Sequence, residues 1–225
     1  MNIYQKDAKD WFLDNDPLSF VSAEIINFIS KRAGKTILDF GCGVGGYSAR
    51  LTQLGFDCTA ADINPDFLNR AKGLGLKTSL IKENKLDFPD NYFDTAIAIE
   101  VMEHLENPAV AIKEMKRVAK NNIIITVPNC TPLIKLSVGR ITLDHMTFMQ
   151  TPAVDHINFF TTSSLQELLK KEFPIVKIYE KEPVDDQAIH LFAPKLLALF
   201  IELLHITHIL KRKFFFRLYA EAKKK

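Results

Sequence analysis

Thr36-Ile37-Leu38-Asp39-Phe40-Gly41-Cys42-Gly43-Val44-Gly45-Gly46 is the stretch from which the rest of the chain is read. An apolar run ends in an acid and passes into a cluster of glycines. Tyr47, Leu51 and Leu54 then fall on one helical face. The unit reads as strand, tight turn, helix. Glycines serve such a turn because they tolerate positive φ and let a ligand approach the backbone closely. The start of the following helix adds unpaired N–H groups and a positive dipole end.

The glycines fit two templates. Gly41, Gly43 and Gly46 satisfy G-x-G-x-x-G, the dinucleotide fingerprint. Asp39 with Gly41, Gly43 and Gly45 gives D-x-G-x-G-x-G. A carboxylate two residues before the first glycine disfavours a pyrophosphate and suits a positively charged ligand. The plainer role for Asp39 is a hydrogen bond to the turn backbone. The second form resembles motif I of the class I S-adenosylmethionine (SAM) methyltransferases, whose cofactor carries an ammonium and a sulfonium but no phosphate. The resemblance implies that Asp39, Gly41, Cys42, Gly43 and Gly45 surround the cofactor. It also implies an α/β, Rossmann-like class I methyltransferase fold. That fold has a mostly parallel seven-stranded sheet with a terminal antiparallel strand and helices on both faces.

Composition is compatible with this. The 225 residues are 47% apolar and 25% charged, as in an ordinary soluble domain able to bury a core. The formal charge of +2 hides an uneven distribution. Lys211, Arg212, Lys213, Arg217 and Lys223 to Lys225 crowd the end of the chain, opposed there by Glu221. Cys42, Cys58 and Cys130 lack C-x-x-C spacing and suggest neither a disulfide framework nor a zinc knuckle. Met1 to Asp7 lacks the apolar core of a signal peptide, so the expected setting is a reducing cytoplasm.

Residues 1–33 read as a polar arm carrying Trp11 and Phe12, then an amphipathic helix from Asp16-Pro17 to Lys31-Arg32-Ala33-Gly34. In the resembled family such an arm commonly covers the cofactor. Residues 34–193 read as the SAM-binding domain. Its second strand, Asp57 to Ala61, ends at Asp62 and Ile63. Asp62 lies about twenty residues past the glycines, where an acid reaches ribose hydroxyls; its plainer role is a helix N-cap. Helix Asn64 to Lys72 and strand Lys77 to Ile81 follow. Leu86-Asp87-Phe88-Pro89-Asp90-Asn91-Tyr92-Phe93-Asp94 resembles the family's adenine-bracketing segment, with Asp87 for the exocyclic amine and Phe88 for the ring face. Thr95 to Ile99 is a fully apolar strand, as a central parallel strand should be. A helix from Pro108 to Val118 and a strand from Asn122 to Val127 complete the alternation.

Residues 129–160 lack a clear period and read as a cap insertion over the acceptor, with a short helix expected from Pro132 to Ile141. Ser163 to Lys171 reads as a helix. Ile175 to Glu180 and Ala188 to Phe192 read as a late strand pair turning at Pro183-Val184-Asp185-Asp186.

The chemistry-bearing string is Glu100-Val101-Met102-Glu103-His104-Leu105, at the rim where open α/β sheets bind ligands. Positions 100, 103 and 104 would share one face of a helical turn. E-x-x-E-H resembles the string in ubiquinone-pathway O-methyltransferases and in small-RNA 2′-O-methyltransferases. The resemblance implies either a divalent cation on Glu100, Glu103, His104 and His156, or a metal-free site. In the metal-free site Glu100 lines the methionine end, and His104 and His156 are the catalytic candidates; the plainer role for these side chains is packing. His145 reads as ordinary loop chemistry.

Residues 194–225 carry Leu196 to Leu210 and Phe214 to Phe216, interrupted by Lys195, Glu202, His205 and His208. The charges argue against a spanning helix. The expected form is a helical extension packed on the domain or on a second subunit; the alternative is a helix on a membrane surface. The functional expectation is a SAM-dependent methyltransferase acting on a small-molecule acceptor at oxygen. Open beside it are a metal-dependent RNA 2′-O-methyltransferase, an NAD-binding oxidoreductase and a non-catalytic SAM-binding protein. The RNA reading lacks a basic, aromatic-rich groove in the body of the chain; the oxidoreductase reading conflicts with Asp39 and the late strand pair.

Overall fold

Alternating apolar runs and glycine or proline breaks become alternating strands and helices in the computed structural model, which describes residues 13–83, 85–130, 137–138, 141–142, 156–183 and 215–225. The strands are β1 (Thr36–Phe40), β2 (Asp57–Asp62), β3 (Lys77–Leu80), β4 (Phe93–Ile99), β5 (Ala119–Pro128), β6 (Ile175–Pro183) and β7 (Phe215–Lys223). The helices are α1 (Ala23–Ser30), α2 (Gly46–Gln53), α3 (Pro65–Gly73), α4 (Pro108–Val118) and α5 (Thr162–Lys170). The sheet is seven-stranded in the order β3-β2-β1-β4-β5-β7-β6. Strands β1 to β5 run parallel, and β7 runs antiparallel to both of its neighbours. The expected mostly parallel sheet with one antiparallel terminal strand is therefore present.

Period-two alternation sorts the core onto two faces. Leu38, Ile123, Ile125 and Leu218 face Ile112 and Met115 of α4 and Leu165 and Leu169 of α5. Ile37, Ile97, Ile124 and Tyr219 face Ile25 and Ile29 of α1 and Leu51 of α2. Polar groups pin the register where hydrophobicity cannot. Thr95 Oγ1 donates to Asn122 Oδ1 at 2.7 Å, and Asn122 Nδ2 donates to Glu221 Oε1 at 3.3 Å. That chain of side chains links β4, β5 and β7 through buried positions.

Local sequence explains the element ends. Asn64 caps α3 by accepting from Asp66 N, with Pro65 at the first helical position. Thr161 and Ser164 form a capping box at α5. The expected single helix from Asp16 divides in two. Pro17–Phe20 is a 3₁₀ turn capped by Asp16, and Ser22 caps α1 separately. The turn seats on the glycine loop: a Cβ on Gly46 would stand 2.2 Å from the Pro17 carbonyl oxygen. Only glycine permits that approach.

Three expectations need correction. Phe215–Lys223 is not part of a helical extension; it is the strand between β5 and β6, and the sheet domain runs through it rather than ending at 193. Among the described residues, the antiparallel partner of β6 is Phe215–Lys223. In the cap, Ser137–Val138 pairs antiparallel with Ile141–Thr142, so the expected helix does not run through these residues; Pro132 to Leu136 lie outside the described residues. Val138, Ile141 and Thr142 are β-branched and favour extended backbone. Trp11, Phe12, His145, residues 188–192 and most of the apolar tail lie outside the described residues. Among those described, no helix is long and apolar enough to cross a membrane.

Removing residues 215–225 should leave β5 and β6 without their shared partner, and the truncated chain is expected to show no cooperative urea transition. Leu218, fully buried, gives the graded version: Leu218→Ala should cost about 2–5 kcal/mol of unfolding free energy.

Candidate active site

Strand β1 ends at the glycine loop. Gly41, Gly43 and Gly45 all adopt positive φ, at 76°, 53° and 87°, which is the conformation the glycines were expected to supply. The amides of Gly41 and Cys42 donate to the Ala61 carbonyl at 2.8 and 3.0 Å, tying the loop to β2. Asp39 is buried beneath the loop and accepts from Ser48 Oγ at 2.7 Å. Burial pushes its carboxyl up to about 6; the Ser48 hydroxyl opposes that rise, and the nearby Asp62 carboxylate adds to it. Asp62 is also buried and raised by burial. Its oxygens accept from Gly43 N and Asn64 N, each at 2.9 Å. Each oxygen keeps a second lone pair for a ligand. The site thus holds negative charge out of water with little positive charge to meet it.

A cleft of about 380 Å³ opens over this loop, a volume within the range of small-ligand sites. Asp39, Gly41, Cys42, Gly43 and Glu100 line it, as do Pro17, Phe20 and Val21 from the segment before α1. Asp62 stands behind Gly43, outside the lining. Ile63 is 70% exposed. Asp87 is exposed, and Phe88 is half-buried with its ring stacked on Tyr92 at 5.2 Å. Gly45, Asp62, Ile63, Asp87 and Phe88 are therefore not part of the cleft's wall.

Sequence reading missed Tyr47 and Arg217, both in the lining. Sequence periodicity gives Tyr47 only a helical face. Arg217 reads in the sequence as part of a basic tail, but strand β7 carries it to the rim, level with Pro128. Arg217 Nε lies 3.2 Å from Glu100 Oε2, and its Nη1 is paired with Glu182. Glu100 also accepts from Thr126 Oγ1 at 2.9 Å. Burial raises the Glu100 carboxyl and Arg217 opposes that rise. Glu100 and Glu182 both adopt positive φ, 55° and 61°. Such backbone costs about 1–3 kcal/mol in a non-glycine residue and clusters at functional sites.

The E-x-x-E-H string divides. Glu103, His104 and His156 come together, with ligand atoms within 4.8 Å of one another. Glu100 turns away to Arg217 and Thr126. The expected set of four is therefore a set of three. His104 Nε2 and His156 Nε2 each lie 4.0 Å from Glu103 Oε1. The chain at 156–158 is stapled to the 3₁₀ turn Met102–His104: Ile157 N and Asn158 N donate to the Glu103 carbonyl at 2.8 and 3.0 Å. Asn158 Nδ2 adds a bond to the Leu105 carbonyl at 2.6 Å. Glu103 is 1% exposed, and neither carboxylate oxygen has a hydrogen-bond partner among the described residues. Burial, with repulsion from Glu100 second, pushes its carboxyl up to about 9.

Residues 18–172 match the family described as "Methyltransferase domain". The chain is 37% identical over 100 residues to 2-methyl-6-phytyl-1,4-hydroquinone methyltransferase of Synechocystis, covering 42% of this chain and 31% of that protein. It is 27% identical over 128 residues to ubiquinone biosynthesis O-methyltransferase of Xanthomonas oryzae, covering 52% and 54%. The matches thus span only about a third to a half of these curated relatives. A solved SAM-dependent methyltransferase from Archaeoglobus fulgidus superimposes with a TM-score of 0.68 at 21% identity, covering 99% of this chain and 100% of that one. The chain belongs to the methyltransferase-domain family and has the class I SAM methyltransferase fold.

The Glu103 carboxyl gives a pH signature. Its folded pKa stands above its unfolded value, so its contribution to stability is full below about 4.5 and is lost as pH rises toward 9. In chelator, Glu103→Gln should gain stability over the parent by a margin that grows from pH 5 to pH 8. A urea-unfolding difference independent of pH would contradict the protonated carboxyl.

Proposed function

We propose that this chain is a SAM-dependent methyltransferase that methylates a hydroxyl oxygen on a small-molecule ring of the quinol kind. The observation that carries the cofactor reading is the buried acid beneath the glycine loop. Burial, with the Asp62 carboxylate adding to it, raises Asp39 toward neutrality, and a ligand bringing an ammonium and a sulfonium offsets that cost. A pyrophosphate would worsen it. Asp62 suits a ribose diol beside the loop, with Ile63 against the sugar. Asp87 and Phe88 suit the adenine. Pro17, Phe20 and Val21 form the covering wall expected of the segment before α1. The names of the hydroquinone and ubiquinone-pathway relatives support the acceptor class.

The reaction asks little of the protein beyond alignment. A lone pair on the acceptor oxygen forms a bond to the methyl carbon as the carbon–sulfur bond breaks. The sulfur keeps that electron pair and becomes a neutral thioether, S-adenosylhomocysteine. The hydroxyl proton passes to a base. His104 and His156 are the candidates. His156 is the better sheltered, its side chain 11% exposed against 42% for His104.

The orphaned oxygens of Glu103 favour one second reading. A carboxylate and two imidazoles fit a divalent cation such as magnesium or manganese. Glu103, His104 and His156 would hold it, and it would supply Lewis acidity toward the acceptor hydroxyl.

Calorimetry should show binding of SAM and S-adenosylhomocysteine and none of NAD. Because the cation-binding form of Asp39 is the deprotonated one, affinity for SAM should fall about tenfold between pH 7 and pH 5. Asp39→Asn should bind weakly throughout and lose most of that dependence. NAD binding without SAM binding would overturn the reading.

Methyl transfer to a hydroquinone acceptor separates the two roles of the histidine cluster. As a base, His156→Gln should lower kcat by about 100-fold or more while the parent enzyme keeps full turnover in EDTA. Loss of parent turnover in EDTA, restored by magnesium or manganese, would assign the cluster to a cation.

A further inference from the structure

Arg217 is the one cation among the described residues that line the cofactor cleft, a lining it shares with Asp39 and Glu100. It reaches there from β7, on the opposite side of the sheet's midline from the glycine loop. Its pairing is incomplete. Nη1 meets Glu182, whose other oxygen accepts from Tyr219 Oη at 2.6 Å. Nε points toward Glu100 Oε2 at 3.2 Å but too far off the N–H axis for a hydrogen bond, and is left buried without one. This is not the two-pronged fork that a guanidinium makes with a carboxylate it is built to hold. Meanwhile Glu100 sits on strained backbone, φ 55°, and is steadied by Thr126.

We propose that Glu100 and Arg217 together form a receptor for the zwitterionic amino-acid end of the cofactor, with Arg217 binding its α-carboxylate. The assignment rests on the SAM reading above. An α-amino acid presents an ammonium and a carboxylate on the same carbon. The cleft presents a carboxylate and a guanidinium 3.2 Å apart in its wall. On binding, the ligand inserts between them. The α-ammonium takes Glu100, the α-carboxylate takes the freed guanidinium edge, and two ion pairs replace one. Glu182 stays on Nη1 and keeps the guanidinium plane aimed into the cleft, anchored in turn by Tyr219. Charge balance supports the same arrangement. Asp39 and Glu100 match the sulfonium and the ammonium, and the ligand's own carboxylate then needs a cation, which Arg217 supplies. An acceptor of the quinol kind carries no such anion.

The test compares three ligands by calorimetry on the full chain: S-adenosylhomocysteine, its decarboxylated analogue, and 5′-methylthioadenosine, which lacks the whole amino-acid end. The parent protein should prefer S-adenosylhomocysteine over the decarboxylated analogue by about tenfold or more, the range for a charge-assisted hydrogen bond. Arg217→Gln should erase most of that preference and leave 5′-methylthioadenosine affinity within about twofold, which also shows that the variant is folded. If Arg217→Gln does not fold, Arg217→Lys replaces it. That variant should lose part of the preference, because an ammonium cannot form the planar fork. A variant that keeps the full preference overturns the assignment while leaving the SAM reading intact. So does one that raises KM for the hydroquinone acceptor without touching the preference. Failure of the parent to bind S-adenosylhomocysteine at all overturns both.

Discussion

A carboxylate kept out of water at the foot of a glycine turn is the constraint on which the site depends. Asp39 is 2% exposed and has one side-chain donor, Ser48. Solvation is denied it, and the loop's amides donate elsewhere, Gly41 and Cys42 to Ala61 and Gly43 to Asp62. The same loop needs three positive-φ residues to pass over that acid. It also needs Gly46 to admit the Pro17 carbonyl. Acid, glycines and the covering turn before α1 are thus parts of one device, and the cleft exists because they meet.

The sheet supplies the other wall by an indirect route. Strand β7 is last in the chain yet lies between β5 and β6. That placement brings Arg217 beside Glu100 and Thr126, residues about a hundred positions earlier. It also divides the E-x-x-E-H string. Glu100, next to the guanidinium, belongs to the cofactor cleft, and Glu103, beneath the 3₁₀ turn, belongs with the two histidines. One sequence motif therefore serves two neighbouring sites of opposite character, one compensated by a cation and one bare.

Much of this was legible because local signals and tertiary context agree. The run from Thr36 to Phe40 could only be a buried strand, and Asn64-Pro65 and Pro108 start helices where their caps fall. The last strand was illegible for a physical reason. Phe215 to Lys223 reads FFRLYAEAK, whose Arg, Leu, Ala, Glu and Lys are good helix formers, and it follows a long apolar run. Only the alternation of Leu218, Ala220 and Ala222 against Tyr219 signals a strand, and small alanines make that signal faint. What decides it is the open edge of β5, which no local pattern reports. For the same reason Arg217 was missed from the site. The separation of Glu100 from Glu103 was missed because a helical turn was assumed where positive φ at Glu100 interrupts it.

The central claim is that opposite charges in one cleft select a zwitterionic, sulfonium-derived ligand. A crystal structure of the complex with S-adenosylhomocysteine tests it most directly. The account predicts the amino-acid end lying over Gly41 to Gly43, with its ammonium at hydrogen-bonding distance from Glu100 and its carboxylate on Arg217. It also predicts the ribose hydroxyls on Asp62. A ligand bound with its amino-acid end away from the Glu100–Arg217 pair, or one that leaves that ion pair unbroken, would contradict it.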